Sequence, residues 1–331
     1  MNKLPSEKKR ETLVKSEDTT DEAFGKRPKA RDIQEYINKG VINLDKPAGP
    51  TSHEVTSWVK KILEIEKAGH SGTLDPNVTG LLPIMLGEAT RAVDALLTAG
   101  KEYVCLMKLH TDMPEKEIKY ILKEFTGEIY QKPSIKSAVK RETRIRNIYY
   151  NEFLEIDGKN VLFSVGCEAG TYIRKLCHDM GMAMGTGAHM QELRRTKSGP
   201  FREDETLITL HDLKDAYIEW KENNNEEPLR KVIYPMEAAL SHLPRIVIRD
   251  NAVDAVCHGA ELAAPGVLTL ESGIERGDPV AIFTLKGEAV SFGYSQMKSV
   301  EIQRAATGIV STTDRVLMDP GTYPKGWKAK P

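Results

Sequence analysis

Asp75 stands in the run His70-Ser71-Gly72-Thr73-Leu74-Asp75-Pro76, a glycine-containing loop ahead of an apolar segment. A carboxylate held on such a loop can attack an electrophilic carbon or remove a proton. An Asp before Pro also serves as a turn residue that hydrogen-bonds its own backbone, and composition alone does not choose between the two. Two basic stretches carry a different chemistry. Residues 131–150 hold Lys132, Lys136, Lys140, Arg141, Arg144 and Arg146 against the single Glu142, with Tyr149 and Tyr150 following. Arg194, Arg195 and Lys197 form the second stretch. Such runs are either a solvated face or a set of phosphate contacts, and the second use makes binding salt-sensitive. Cys105, Cys167, Cys177 and Cys257 are scattered with no C-x-x-C pair, and read as buried small hydrophobes rather than metal ligands or disulfides.

The elements that must position these residues follow from local patterning. Thr51-Ser52-His53-Glu54 fits a capping box, and Val55, Trp58, Val59, Ile62 and Leu63 follow at helical offsets. An apolar strand over 41–44 precedes this helix, and residues 69–76 read as a loop. Residues 103–109 are apolar on both faces apart from Lys108, which suits a central strand. Ile118, Ile121, Leu122 and Phe125 repeat at helical spacing until Gly127. A strand is predicted over 161–167. Gly170-Thr171 then opens a helix with Ile173, Leu176, Cys177 and Met180 on one face, and a strand follows over 190–195. Residues 205–242 read as helical, with a polar interruption at 222–227.

Beyond Leu243 the texture changes. Short strands over 267–270, 279–285, 289–294 and 308–311 alternate with Gly, Pro and Asp turns, the pattern of a small β-barrel. With 331 residues, too many for one ordinary core, this predicts two domains with few core contacts between them. Residues 1–31 are polar and without apolar period, and are expected to form a partly disordered arm against the barrel.

The net charge of -1 argues against a generally basic nucleic-acid binder but leaves room for a local basic surface. Apolar residues make up 40% and the mean hydropathy is -0.41, which describes a soluble globular chain. The longest apolar runs, such as residues 81–86, fall far short of the roughly 20 residues that span a bilayer. The charged N-terminal stretch lacks the apolar core of a secretory signal, so a cytoplasmic location without membrane contact is expected.

Ile42-Asn43-Leu44-Asp45-Lys46-Pro47-Ala48-Gly49-Pro50-Thr51-Ser52 followed by Gly69-His70-Ser71-Gly72-Thr73-Leu74-Asp75-Pro76 resembles the two signature motifs of the TruB-type pseudouridine synthases. Lys101-Glu102-Tyr103, Gly170-Thr171-Tyr172-Ile173-Arg174, Gly187-Ala188-His189-Met190 and Leu193-Arg194-Arg195 match further family motifs in order. Residues 133–144, the stretch 198–212 and the C-terminal segment resemble the archaeal dyskerin-type branch, the catalytic subunit of H/ACA guide ribonucleoproteins. Within that segment, residues 258–267, 277–280, 286–290, 315–318 and 321–324 resemble a PUA domain.

The resemblance implies an α+β fold: a polar arm over 1–32, a mixed-sheet pseudouridine synthase catalytic domain over 33–243, and a PUA β-barrel over 244–327. It makes Asp75 the catalytic carboxylate, as nucleophile at C1′ or as base at C2′, with Arg174 as its ion-pair partner. Tyr103 then stacks on the target base and serves in proton removal at C5. His70, Tyr172, Leu193 and Lys46 fall among the substrate-pocket positions, Lys46 in support of the catalytic loop. Lys136, Lys140, Arg141, Arg144 and Arg146 align with a thumb loop that closes on RNA, and Arg194 and Arg195 lie at the pocket edge. His258, Gly259, Pro265, Gly266 and Arg315 map to the PUA surface that grips the guide. Breaking and remaking a glycosidic bond involves neither redox nor phosphoryl chemistry, so no cofactor or metal is called for.

The branch implies H/ACA guide RNA, substrate ribosomal RNA, a zinc-ribbon peptide, a Gar-family β-barrel protein and a kink-turn-binding protein as partners. The missing Lys-rich tails point to the archaeal branch. A stand-alone enzyme acting on the T-arm of transfer RNA, and a non-catalytic RNA scaffold, are the alternative readings.

Overall fold

Glu54 donates its amide to the Thr51 hydroxyl at 3.2 Å and accepts the Thr51 amide on its carboxylate at 2.7 Å. The capping box thus starts the helix Ser52–Leu63, as its sequence predicts. The computed structural model describes residues 3–132 and 142–325. Next to this helix, Gly40–Lys46 and Thr79–Leu86 pair antiparallel, nearly every residue buried, as suits strands covered on both faces.

From these two strands a long sheet extends through Ala188–Ser198, Lys101–Leu109, Asn160–Cys167 and Arg144–Asp157 to Gly127–Gln131. Every junction on that path is antiparallel except Thr79–Leu86 with Ala188–Ser198, which is parallel. The sheet is therefore mixed. On one side, the helices Ser52–Leu63 and Leu210–Asn223 pack Val55, Val59, Leu213 and Tyr217 against Ile42, Leu44, Leu82 and Ile84. Elsewhere, the helix Ile173–Ala183 buries Ile173, Leu176, Cys177 and Met180 against Cys105, Met107, Phe163 and Val165. All four cysteines are buried and free.

Several expectations shift at their edges. The segment 69–76 is not all loop, because Ala68–His70 pairs with Thr79–Leu86. Part of the basic stretch 131–150 is strand: Arg144 begins Arg144–Asp157, in which Tyr150 is 2% exposed. Lys136, Lys140 and Arg141 lie outside the described residues.

In the C-terminal region Arg245–Ile248, Val267–Glu271, Pro279–Phe283, Ala289–Tyr294 and Arg315–Val316 belong to one six-stranded sheet. Leu262–Ala263 and Ile309–Ser311 form a two-stranded ribbon. The helix Asp250–Cys257, which the sequence reading did not anticipate, packs Val253 and Val256 into the same core as Ile246, Val280 and Val310.

The sixth strand comes from the other end of the chain. Thr12–Val14 pairs antiparallel with Val267–Glu271, Leu4 is 1% exposed, and Leu13 and Phe24 pack on the β core. The arm is thus laid down in order rather than partly disordered; its apolar anchors are too sparse to show a period. The expected scarcity of contacts between the two regions is also corrected. Val41, Leu81, Met85, Met236 and Leu240 share one buried cluster with Ala281, Phe283, Ala289, Phe292 and Leu317. Ion pairs Arg91–Asp319 at 2.8 Å and Arg315–Asp94 at 2.9 Å flank that seam.

Candidate active site

Three buried side chains stake the loop that carries Asp75. Lys46, fully buried, donates to the carbonyls of Pro47 and Pro76 at 2.8 Å and of Val78 at 3.0 Å. Ser52, in the first turn of its helix, accepts the Leu74 amide at 2.9 Å and donates to the Leu74 carbonyl at 3.1 Å. Arg195 donates from both terminal nitrogens to the Gly72 carbonyl at 3.1 Å and from Nε to the Leu81 carbonyl at 2.7 Å. Gly72 at φ +81° takes a left-handed conformation that glycine adopts freely. At Gly80, φ +97°, an added Cβ would lie 2.3 Å from the Arg195 carbonyl oxygen, so the parallel pairing of these strands requires glycine there.

With its backbone fixed, the loop projects Asp75 toward the helix Ile173–Ala183. Arg174, in the first turn of that helix, donates from a terminal nitrogen to Asp75 Oδ2 at 2.8 Å. The expected ion pair is present, and both side chains are more than half exposed, the carboxylate at 57%. Asp75, Arg174, Tyr103, Tyr172 and Leu193 line one cavity of about 850 Å³, together with Thr73, Val78, Lys101, His178, His189, Met190 and Arg195. The walls are aromatic and aliphatic, and a flat ring could stack there.

Tyr103 comes from the central strand Lys101–Leu109 and stands directly across from Arg195 on Ala188–Ser198. Burial pushes the Tyr103 phenol above its ordinary range, while the Arg195 charge beside it pulls the other way. Lys101 is 4% exposed and donates to the carbonyls of Leu96, Leu97 and Ala99 at 3.0, 2.9 and 2.7 Å. Burial, with the neighbouring Arg195 charge, brings its ammonium down to about 7.

Other predicted residues sit differently. Lys46 supports the loop and does not line the cavity. His70 also stands off the lining, with its ring 5.0 Å from that of His53; burial lowers its pKa, with the His53 and Arg195 charges adding to this. Arg194 does not offer a free cation to phosphate. It makes a two-pronged contact with Asp45 at 3.0 and 2.9 Å and donates to Glu203 through Nε at 2.8 Å. Arg195, 1% exposed beneath the loop, is not at a phosphate surface either. Arg146 lies 3.7 Å from Glu168 and Arg144 opens the long strand.

In the β region, Pro265 and Gly266 line a second cavity of about 740 Å³ with Lys15, Ser16, Arg249 and Asn251. His258 and Gly259 close the adjoining helix outside that lining, and Arg315 bonds across the seam to Asp94. The sequence reading missed Ser52, Lys101, Thr73, His178 and Met190 as site residues. Lys101 was within a quoted motif, and its place opening a strand beside Tyr103 was the available signal.

Residues 60–173 match the model of the TruB family pseudouridylate synthase N-terminal domain, and residues 174–241 that of the tRNA pseudouridylate synthase B C-terminal domain. A PUA domain matches at 244–317 and a DKCLD (NUC011) domain at 2–56. A probable tRNA pseudouridine synthase B of Methanosarcina barkeri is 60% identical over 328 residues, covering 99% of this chain and 97% of that one. The chain belongs to the TruB family of pseudouridine synthases. A family member of the same description from Pyrococcus furiosus is 58% identical, over 99% of this chain and 96% of its own.

Among solved structures, a chain from a Cbf5-Nop10-Gar1 complex superposes with a TM-score of 0.93 at 58% identity, over 98% of this chain and 99% of that one. A chain from an H/ACA RNP bound to a substrate RNA containing 2'-deoxyuridine superposes at 0.91 with 56% identity, over the same shares. The family fold of α+β catalytic domain and PUA domain is therefore present here, and the chain is an RNA pseudouridine synthase. Among the described residues no helix is long and apolar enough to cross a membrane.

Proposed function

We propose that this chain converts uridine to pseudouridine in ribosomal RNA as the catalytic subunit of a guide-RNA-directed particle. The observation that carries the reading is the single cavity holding Asp75, Arg174 and Tyr103, on a chain that aligns end to end with one from a substrate-bound H/ACA particle.

Asp75 acts on the ribose, as nucleophile at C1′ or as base at C2′. Arg174 holds that carboxylate in place through its 2.8 Å ion pair. The flipped base loses its stacking in RNA, and Tyr103, Tyr172 and Leu193 replace it with cavity walls. Tyr103 then takes the C5 proton once C5 has joined C1′.

A pocket for one uridine meets a base common to all RNA, so the choice of target falls to a guide that pairs with it. The cleft of Lys15, Arg249, Pro265 and Gly266 suits the end of that guide, and the family resemblance gives the basic stretch 131–150 to the substrate backbone. The particle's other members would be a guide RNA and the small proteins that the family resemblance implies: a zinc-ribbon peptide, a Gar-family barrel and a kink-turn binder. We place the particle in the cytoplasm. Domain limits of 33–243 and 244–327 serve this reading, with the arm 1–32 joined to the second.

A stand-alone action on transfer RNA is favoured by one observation, the description of the curated relatives as tRNA pseudouridine synthases. The deciding experiment assays the full chain, alone and with guide RNA and partner proteins, on a guided ribosomal target and on unmodified transfer RNA. Guide-dependent product supports the main reading. Strong activity on transfer RNA without a guide replaces it with the stand-alone one.

A further inference from the structure

Arg195 is among the largest fully buried side chains, yet among the described residues no carboxylate pairs with it. A buried cation without a counter-ion is costly, and main-chain carbonyls offset this only in part. Its three hydrogen bonds reach Leu81 and Gly72, the two flanks of the Asp75 loop. Arg195 also lines the cavity that holds Tyr103, its cross-strand partner, whose phenol feels the Arg195 charge. One side chain therefore touches the loop of one reacting group and neighbours the other.

We propose that Arg195 is a positioning residue for removal of the C5 proton: it fixes Tyr103 and the Asp75 loop in one frame and supplies the positive charge that lets the phenol oxygen act as base. The inference rests on the reading of Tyr103 as that base. In the step concerned, C5 carries both its hydrogen and the new bond to C1′, while N1 is double-bonded to C6. The C5–H bond breaks and its electron pair re-forms the C5–C6 double bond. The N1–C6 π pair returns to N1, which takes a proton from water. The Tyr103 oxygen receives the C5 proton as its own phenolic proton passes to water, so one proton moves net from C5 to N1. Negative charge that develops on that oxygen in a buried site needs a fixed cation nearby, and Arg195 occupies that place. Burial pushes the phenol up and the Arg195 charge opposes this, as the geometry requires.

The test uses the full chain assembled with guide RNA and partners, on a target whose reacting uridine carries deuterium at C5. In the wild type, C5 deprotonation follows a slower step, and no primary isotope effect is expected. In Arg195→Met, product formation should fall about 100-fold, the size of a general-base contribution, and a primary C5 isotope effect should appear. Arg195→Gln keeps a donor for the Gly72 carbonyl but lacks the charge. It should show the same isotope effect, and it is the variant to use if Arg195→Met does not fold. Slowing without an isotope effect in the folded variant reduces Arg195 to plain loop support and overturns the proposal. Tyr103→Phe separates the two claims. If it slows turnover with a C5 isotope effect while the Arg195 variants do not, the Arg195 role fails alone. If it shows none, Tyr103 is not the base and both fall.

Discussion

Arg174 reaches Asp75 Oδ2 at 2.8 Å across 99 residues of chain, and each partner arrives on an independently anchored element. The aspartate rides a loop pinned by Lys46, Ser52 and Arg195, while the arginine sits in the first turn of a helix buried through Ile173, Leu176 and Cys177. Neither side chain needs the other to be held in place, and the pair is open to solvent. An ion pair so exposed adds little to the stability of the fold.

Asp75→Asn should abolish pseudouridine formation and leave RNA affinity within a few-fold of wild type. The amide keeps size and hydrogen-bonding capacity but is neither a nucleophile nor a base. Single-turnover product measurement and filter binding check the two halves, and turnover within tenfold of wild type would assign the chemistry to another residue.

Arg174→Met should lower the single-turnover rate strongly yet change unfolding free energy by less than about 1 kcal/mol, the usual limit for exposed ion pairs. Chemical denaturation and product formation on the same preparation decide it. A large loss of stability would show that the pair holds the fold.

Phe292→Ala should destabilise both regions together. Phe292 is 5% exposed in the cluster that joins Val41, Leu81 and Met236 to Phe283 and Leu317. Removing a core phenylalanine costs about 3–5 kcal/mol. Denaturation followed by Trp58 and Trp220 fluorescence in the catalytic region should show one transition moved to lower denaturant. Two separated transitions would mean that the regions unfold independently. For the same reason a chain ending at Leu243 should not fold cooperatively.

The sequence made the local features legible and left the non-local ones hidden. The helix Ser52–Leu63 announces itself because its cap, its stripe and its end are all contained in its own residues. The Asp75 loop and its ion pair could be located only through family resemblance, since nothing in residues 69–76 refers to residue 174. Arg194 and Arg195 read as one basic patch, yet consecutive residues on a strand face opposite ways. One goes out to Asp45 and Glu203, and the other goes in beneath Gly72. That alternation was available once a strand over 190–195 had been predicted. The arm offered no such signal, because an extended segment that docks through Leu4, Leu13 and Phe24 has no helical or strand period to display.

Stability should fall as pH drops from about 6.5 to 4, and His242 should account for much of the fall. The ring is 7% exposed, bonds the Ala95 carbonyl through Nε2 at 3.1 Å, and is pushed down to about 4 by burial. In the unfolded chain the same ring takes its proton near 6.5, so the unfolded state binds more protons between these values. Its contribution is complete above 6.5, is lost as pH falls toward 4, and amounts to about 3 kcal/mol. His242→Gln should flatten the denaturation midpoint over that window. An unchanged slope would place the acid sensitivity elsewhere.

Arg194→Met should leave the salt dependence of RNA binding unchanged, although the sequence grouped Arg194 with phosphate contacts. Its guanidinium already holds Asp45 by two bonds and Glu203 by a third, and both carboxylates raise its pKa. To meet a phosphate it would have to break those bonds and leave two carboxylates facing RNA. A residue that does neutralise a phosphate contributes about 0.7 to 0.9 to the slope of log affinity against log salt. Replacing Lys136, Lys140, Arg141 and Arg144 by Ala should lower that slope by such amounts, if they contact substrate RNA as proposed from the family resemblance. The two variants, titrated side by side from low to moderate salt, give a direct contrast. A slope for Arg194→Met that falls by the same step would show that the Asp45 and Glu203 bonds open on binding, and would return Arg194 to the RNA surface.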